Sequence, residues 1–175
     1  MHATRLLEQQ HRKVEAIFQR LEGEGGDAEA LVTELANHLA AHMTIEQEIF
    51  YPAIQAVDRA LVLESYEEHA LCEVALKRLL AADALAEEFR ARVTALKELI
   101  QHHVHDEEEE MFPAVEQALG DERLEELGEQ MAARFEQVVG AGYESAVPRG
   151  FARTSSDVSR KVLKKSGAQH RPRAA

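Results

Sequence analysis

The chain has 175 residues, enough for one domain with a full core and too few for two. Its 45% of apolar residues exclude a disordered chain, and its net charge of -12 argues against general nucleic-acid binding by the folded part. No apolar run approaches the roughly 20 residues of a membrane span, the charged start (Arg5, Glu8, Arg12, Lys13) lacks a signal-peptide core, and Cys72 stands alone, so a cytoplasmic protein without disulfides or cysteine-held metals is expected.

A first helix is expected over residues 4–22, where Leu7, His11, Val14, Phe18 and Leu21 recur at spacings of 4-3-4-3, the period of a bundle-facing stripe. Gly23-Glu24-Gly25-Gly26 ends it, and Asp27 is placed to cap a second helix that runs to about Phe50, where Pro52 interferes. That helix aligns Leu31, Leu35, His38, His42, Ile45 and Ile49. Asp58 opens a third, ending near Ala82, with Val62, Tyr66, His69, Cys72, Leu76 and Leu79 on one side. A fourth covers residues 83–119, strained or broken near Pro113, and aligns Phe89, Val93, Leu96, Ile100, His103, Glu107 and Met111. Gly120-Asp121 closes it and caps a fifth, shorter helix to about Val139. The fold expected is all-α: an up-down-up-down four-helix bundle with a short fifth helix over residues 1–140, then a basic tail, 141–175.

The tail is set apart by charge. Residues 146–175 hold eight Lys/Arg against one acid, about +7, which leaves about -19 on the rest. Only residues 156–165 have the pattern of a short helix there, and the tail is expected to lie loosely against the acidic bundle.

Each of the first four helices places a histidine where an apolar residue belongs. The chain also repeats itself: His42-x3-Glu46-x5-Pro52 recurs as His103-x3-Glu107-x5-Pro113, and His11-x3-Glu15 recurs as His69-x3-Glu73, at offsets of 61 and 58 residues. Two copies of one helical hairpin, paired about a pseudo-twofold axis, therefore bury two equivalent His/His/Glu sets. Residues i and i+4 lie about 40° apart on a helix, so His42 shares a face with Glu46 and His103 with Glu107. A buried carboxylate needs a counter-charge, and no Lys or Arg lies in these stripes, so the counter-charge should be metal. Imidazole and carboxylate without thiolate suit iron, manganese or zinc, and two glutamates with four histidines suit a dinuclear centre. With both glutamates bridging, these groups fill about eight of twelve octahedral positions, leaving an exchangeable one.

The pattern His11, His42-x3-Glu46, His69, His103-x3-Glu107, with an aromatic residue and proline after each glutamate, resembles the hemerythrin-like HHE cation-binding domain over residues 4 to about 140. The resemblance implies a non-haem site with two iron ions, oxo- or hydroxo-bridged, held by His11, His42, Glu46, His69, His103 and Glu107. Members of the family bind or sense oxygen, sense iron, handle nitric oxide or decompose peroxide. Its oxygen carriers use five histidines, with a His-x3-His pair on the third helix; here Glu73 stands where the second would fall. That departure weighs against reversible oxygen carriage.

Other residues compete for the site. Glu15 lies about 80° from the centre of its stripe, so Glu15 and Glu73 read as surface or outer carboxylates. His38 is either a fifth histidine or a pocket residue. His102 and His105 point off the stripe, Tyr66 reads as core packing one turn before His69, and of the acidic run 106–110 only Glu107 lies on the stripe. Two functions fit: binding or sensing of O2, NO or iron, and a peroxide-decomposing enzyme. In both the partner is a small ligand, with no membrane involved.

Overall fold

The computed structural model describes residues 1–23 and 27–147. Glu24, Gly25 and Gly26 of the first connection, and the basic tail from residue 148 with its expected helix at 156–165, lie outside the described residues. Asp27 and Asp58 start their helices by side-chain capping: Asp27 accepts from the Ala30 N–H at 3.1 Å and Asp58 from the Leu61 N–H at 3.0 Å. Each satisfies one of the amides that a helix start leaves unpaired.

The helices are α1 (Ala3–Glu22), α2 (Ala28–Ile45), α3 (Tyr51–Ile54), α4 (Arg59–Leu80), α5 (Glu87–Asp106), α6 (Phe112–Leu119) and α7 (Asp121–Ala141). Two π turns, Glu46–Phe50 and Glu107–Met111, join α2 to α3 and α5 to α6 without a break. The prolines therefore interrupt nothing; they change the helix type in the turn before them. A proline lacks its N–H and its ring crowds the carbonyl four residues back, Glu48 for Pro52 and Glu109 for Pro113. Widening that turn by one residue removes the clash, and the N–H groups of Tyr51 and Phe112 donate five residues back, to the carbonyls of Glu46 and Glu107. The fourth helix starts at Glu87 and not at 83, because the Asp83 carboxylate turns locally onto the Leu85 N–H (2.9 Å).

α1 packs beside α2 and α5, and α4 beside the same two, giving the four-helix bundle with α7 laid across α1 and α2. α7 spans 21 residues, as long as α1, because Leu124, Leu127, Met131 and Val138 carry its buried stripe past Gly128. Gly128 is where the chain start crosses: a Cβ there would come within 2.0 Å of the Met1 carbonyl oxygen. Beyond α7, the Tyr143 N–H donates to Asn37 Oδ1 at 2.8 Å and Val147 is buried, so packing continues to the last described residue.

The core falls into two apolar clusters. On α1 one contains Ala3, Leu6 and Leu7 and the other Val14, Ile17 and Phe18; on α4 one contains Val62 and Tyr66 and the other Cys72, Leu76 and Leu79. His11 and His69 stand between them on each helix. A polar layer thus crosses the bundle at one level.

Candidate metal centre

The six residues singled out by the repeat all sit in that layer, and each is at most 5% exposed. Their inner atoms form a closed ring. His11 Nε2 lies 3.2 Å from His42 Nε2, which lies 3.2 Å from Glu46 Oε2. Glu46 Oε2 is 3.3 Å from His69 Nε2, itself 3.0 Å from His103 Nε2. His103 Nε2 is 3.6 Å from Glu107 Oε2, which closes the ring at 3.4 Å from His11 Nε2. Each glutamate places one oxygen between an imidazole of its own hairpin and one of the other, the disposition of a bridge. Both Glu46 oxygens and Glu107 Oε2 are buried without a hydrogen-bond partner, as a donor set converging on a cation would be. Two cation-sized groupings result: His11, His42, Glu46 and Glu107, and Glu46, His69 and His103.

Turning Nε2 inward leaves every Nδ1 outward, and each has a partner. His11 Nδ1 donates to Glu108 Oε1 (2.7 Å) and His103 Nδ1 to Glu68 Oε2 (2.7 Å). His42 Nδ1 donates to Gln10 Oε1 (2.9 Å), and the Gln47 amide lies 3.1 Å from His69 Nδ1. The partners obey the repeat: the residue before the histidine on α1 and α4, and the residue after the glutamate at each π turn. Each histidine pair thus has one carboxylate and one amide behind it. Glu108 is fixed in turn by Arg12, and Glu68 by His102 (3.2 Å), which also meets Asp106 (3.3 Å).

Burial pulls His42 and His69 well below the ordinary imidazole range, so both are neutral and offer a lone pair. For His11 burial acts the same way, but the facing carboxylates of Glu107 and Glu108 prevail and raise it. Burial, reinforced by the charge of Glu107, lifts Glu46 well above the carboxylate range. Burial also pushes Glu107 up, yet His103 and His11 outweigh it and hold it low. Without a cation, one carboxylate of the pair keeps its proton because two adjacent buried charges repel.

Tyr51 was missed. Its hydroxyl donates to Glu107 Oε1 at 2.8 Å and lies 3.2 Å from His69 Nε2, inside the ring's reach. On an uninterrupted α-helix, residue i+5 from Glu46 faces away; the π turn inserts one residue and brings it round. The signal available was the repeat, which pairs Tyr51 with Phe112, stacked on His11 at 6.1 Å as Tyr51 lies on His69 at 5.5 Å. Tyr66 packs edge-on against Tyr51 and donates to the Gln47 carbonyl (3.3 Å). His38 turns away to Phe135 on α7, and His102 and His105 are exposed. Glu15 is exposed, whereas Glu73 is buried yet outside both groupings.

The chain matches the family described as "Hemerythrin HHE cation binding domain" over residues 2–115, which takes in both hairpins and all six ring residues but not α7. Among its relatives is the uncharacterized protein Rv2633c of Mycobacterium tuberculosis, 31% identical over 112 residues, 63% of this chain and 69% of that protein. A DNA nickase of Nostoc sp. is 26% identical over 137 residues, 76% of this chain but 39% of the nickase. Among solved structures, the HHE domain protein of Mycobacterium kansasii that is a homologue of Rv2633c superposes with a TM-score of 0.72 at 30% identity, over 81% of this chain and 89% of its own. With a family match that spans both hairpins and takes in a ring of four histidines and two glutamates, this chain belongs to the hemerythrin HHE cation-binding family.

Proposed function

We propose that the protein is a non-haem di-iron protein that binds or senses a small ligand (O2, NO) or iron itself, with His11, His42, Glu46, His69, His103 and Glu107 as the ligands. The observation that carries this reading is the closed ring, in which each buried glutamate oxygen is shared between the two histidine pairs. A donor set of imidazole and carboxylate without thiolate suits iron, and two such ions would supply redox chemistry and an open position for the ligand. The chain's own part is to hold four neutral-capable imidazoles by their outer nitrogens, to balance two or more positive charges with two carboxylates, and to keep water out with the apolar clusters above and below. No helix of the described residues is long and apolar enough to cross a membrane, and a cytoplasmic setting suits the reading.

Peroxide decomposition is the second reading, favoured by the Tyr51 hydroxyl beside Glu107 and His69, a proton donor and oxidisable group in contact with the ligand set. The test is metal content after iron loading, with optical spectra under argon, oxygen, nitric oxide and peroxide. About two irons per chain and a spectrum that changes reversibly with O2 or NO support binding; oxygen evolution from peroxide supports the enzyme. Zinc retained in preference to iron, with no spectral response, refutes both.

A further inference from the structure

Two cavities meet at the histidine layer. The inner one, of about 20 Å³, is lined by all four ring histidines and by Leu39, Met43 and Cys72, but by neither glutamate nor Tyr51. The carboxylates and the phenol thus close one side of the ring, and the chamber lies on the other. About 10–15 Å³ suffices for one water-sized molecule, so the chamber holds a single small one against an apolar wall. The outer cavity, of about 270 Å³, is a groove between α1 and α5 with Arg12, Glu15, Lys97 and His105 among its polar lining. His11, Val14, Ile100 and Val104 line both cavities, so one layer of side chains separates solvent from the ring.

We infer that small uncharged molecules of two or three heavy atoms reach the histidine side of the site between α1 and α5, through a neck formed by Val14, Ile100 and Val104. Val14 and Ile100 are nearly fully buried and Val104 is half-buried, which puts Val104 at the outer lip and Ile100 deeper. The three aliphatic side chains offer no hydrogen bond to replace the hydration of an ion, and His11 beside them has its outer nitrogen taken by Glu108, so charged or bulky molecules are held in the polar groove. Which ligands reach the ring is then set by this neck, a property of the chain; only the identity of the ligand rests on the di-iron reading.

Cys72, the one cysteine of the chain, lines the inner chamber and reports on entry. Methylmercury chloride is small and neutral; on reaching the thiol its mercury bonds to sulfur, the S–H bond breaks, and chloride leaves with the proton. p-Chloromercuribenzoate does the same chemistry with a ring and a carboxylate attached. Labelling of the metal-free protein is followed by mass, with Cys72→Ala as the blank for mercury held elsewhere. In a close-packed neck, Val104→Phe should slow methylmercury at least about tenfold, and Ile100→Ala should bring the aryl reagent to within about threefold of the small one. On the iron-loaded protein Val104→Phe should slow nitric oxide association while iron content stays unchanged. A methylmercury rate that Val104→Phe leaves within about twofold of wild type, or a common rate for both reagents in every variant, as global opening would give, overturns the route. If Val104→Phe does not fold, Ile100→Ala decides alone. Failure to bind iron would sink the di-iron reading and leave the mercury result standing.

Discussion

Replacing Tyr51 by phenylalanine removes one oxygen from a position with no solvent exposure. That oxygen donates to Glu107 Oε1 at 2.8 Å, and Glu107 is the carboxylate that its neighbouring imidazoles hold in the charged form. A hydrogen bond to a charged group contributes about 1.5–3 kcal/mol, and here its loss strands the acceptor in a dry core. In a domain of this size each kcal/mol moves the midpoint by about 2–4 °C, so metal-free Tyr51→Phe should melt about 3–12 °C below wild type. Loading changes the outcome, because a cation at the ring becomes the main partner of Glu107 and the loss of one hydrogen bond matters less to it. The deficit should shrink by about half or more in the loaded protein. Circular dichroism melts of both proteins, metal-free and loaded, measure this. Equal deficits in the two states, or no deficit in the metal-free one, would refute the placement of Tyr51 on the ring.

Glu46→Ala and Glu107→Ala should each lose most of the bound metal, since each removes a shared oxygen, whereas Glu15→Ala and Glu73→Ala should keep it; full retention in Glu107→Ala, read by metal analysis, contradicts the bridging assignment. Cys72→Ala should retain metal and ligand response, because burial pushes the thiol up to about 12 and keeps it protonated, a poor metal ligand, at neutral pH; loss of either would give the thiol a role. Burial, aided by Lys13 and opposed by Glu34 and Glu136, holds His38 below its ordinary 6.5, so the unfolded chain takes up its proton first as pH falls. Stability should therefore drop below pH about 6.5 by an amount that His38→Leu removes; denaturant midpoints of the two proteins that keep a constant gap from pH 7 to 5 would refute this. Cutting the chain after Gly140 removes Val147 and the Tyr143–Asn37 bond and should cost about 2–4 kcal/mol more than a cut after Val147. Metal content should survive both cuts, and urea midpoints check the difference.

The six ring residues were legible because the information is local. A histidine and a glutamate four apart on an amphipathic stripe must share a face, and a stripe with no lysine or arginine must bury them without a counter-charge. The duplication of that pattern then implies two hairpins around one axis, and the capping aspartates mark where two of the helices start. Periodicity names a face but not the neighbour that the face meets. That Glu46 reaches His69, and Glu107 reaches His11, follows from how one hairpin docks on the other. The outer partners Gln10, Gln47, Glu68 and Glu108 lie one residue off the stripes, where the pattern assigns them to solvent; they serve the site because each flanks the facing helix at the level of an imidazole. Tyr51 was hidden for a different reason, since reading it requires the π turn, and a turn widened by one residue shifts every later position by about 100° against the wheel used to read it. The length of α7 and the chamber behind the histidines depend on contacts between segments far apart in the chain, whose energies belong to packing and not to any local spacing of residues.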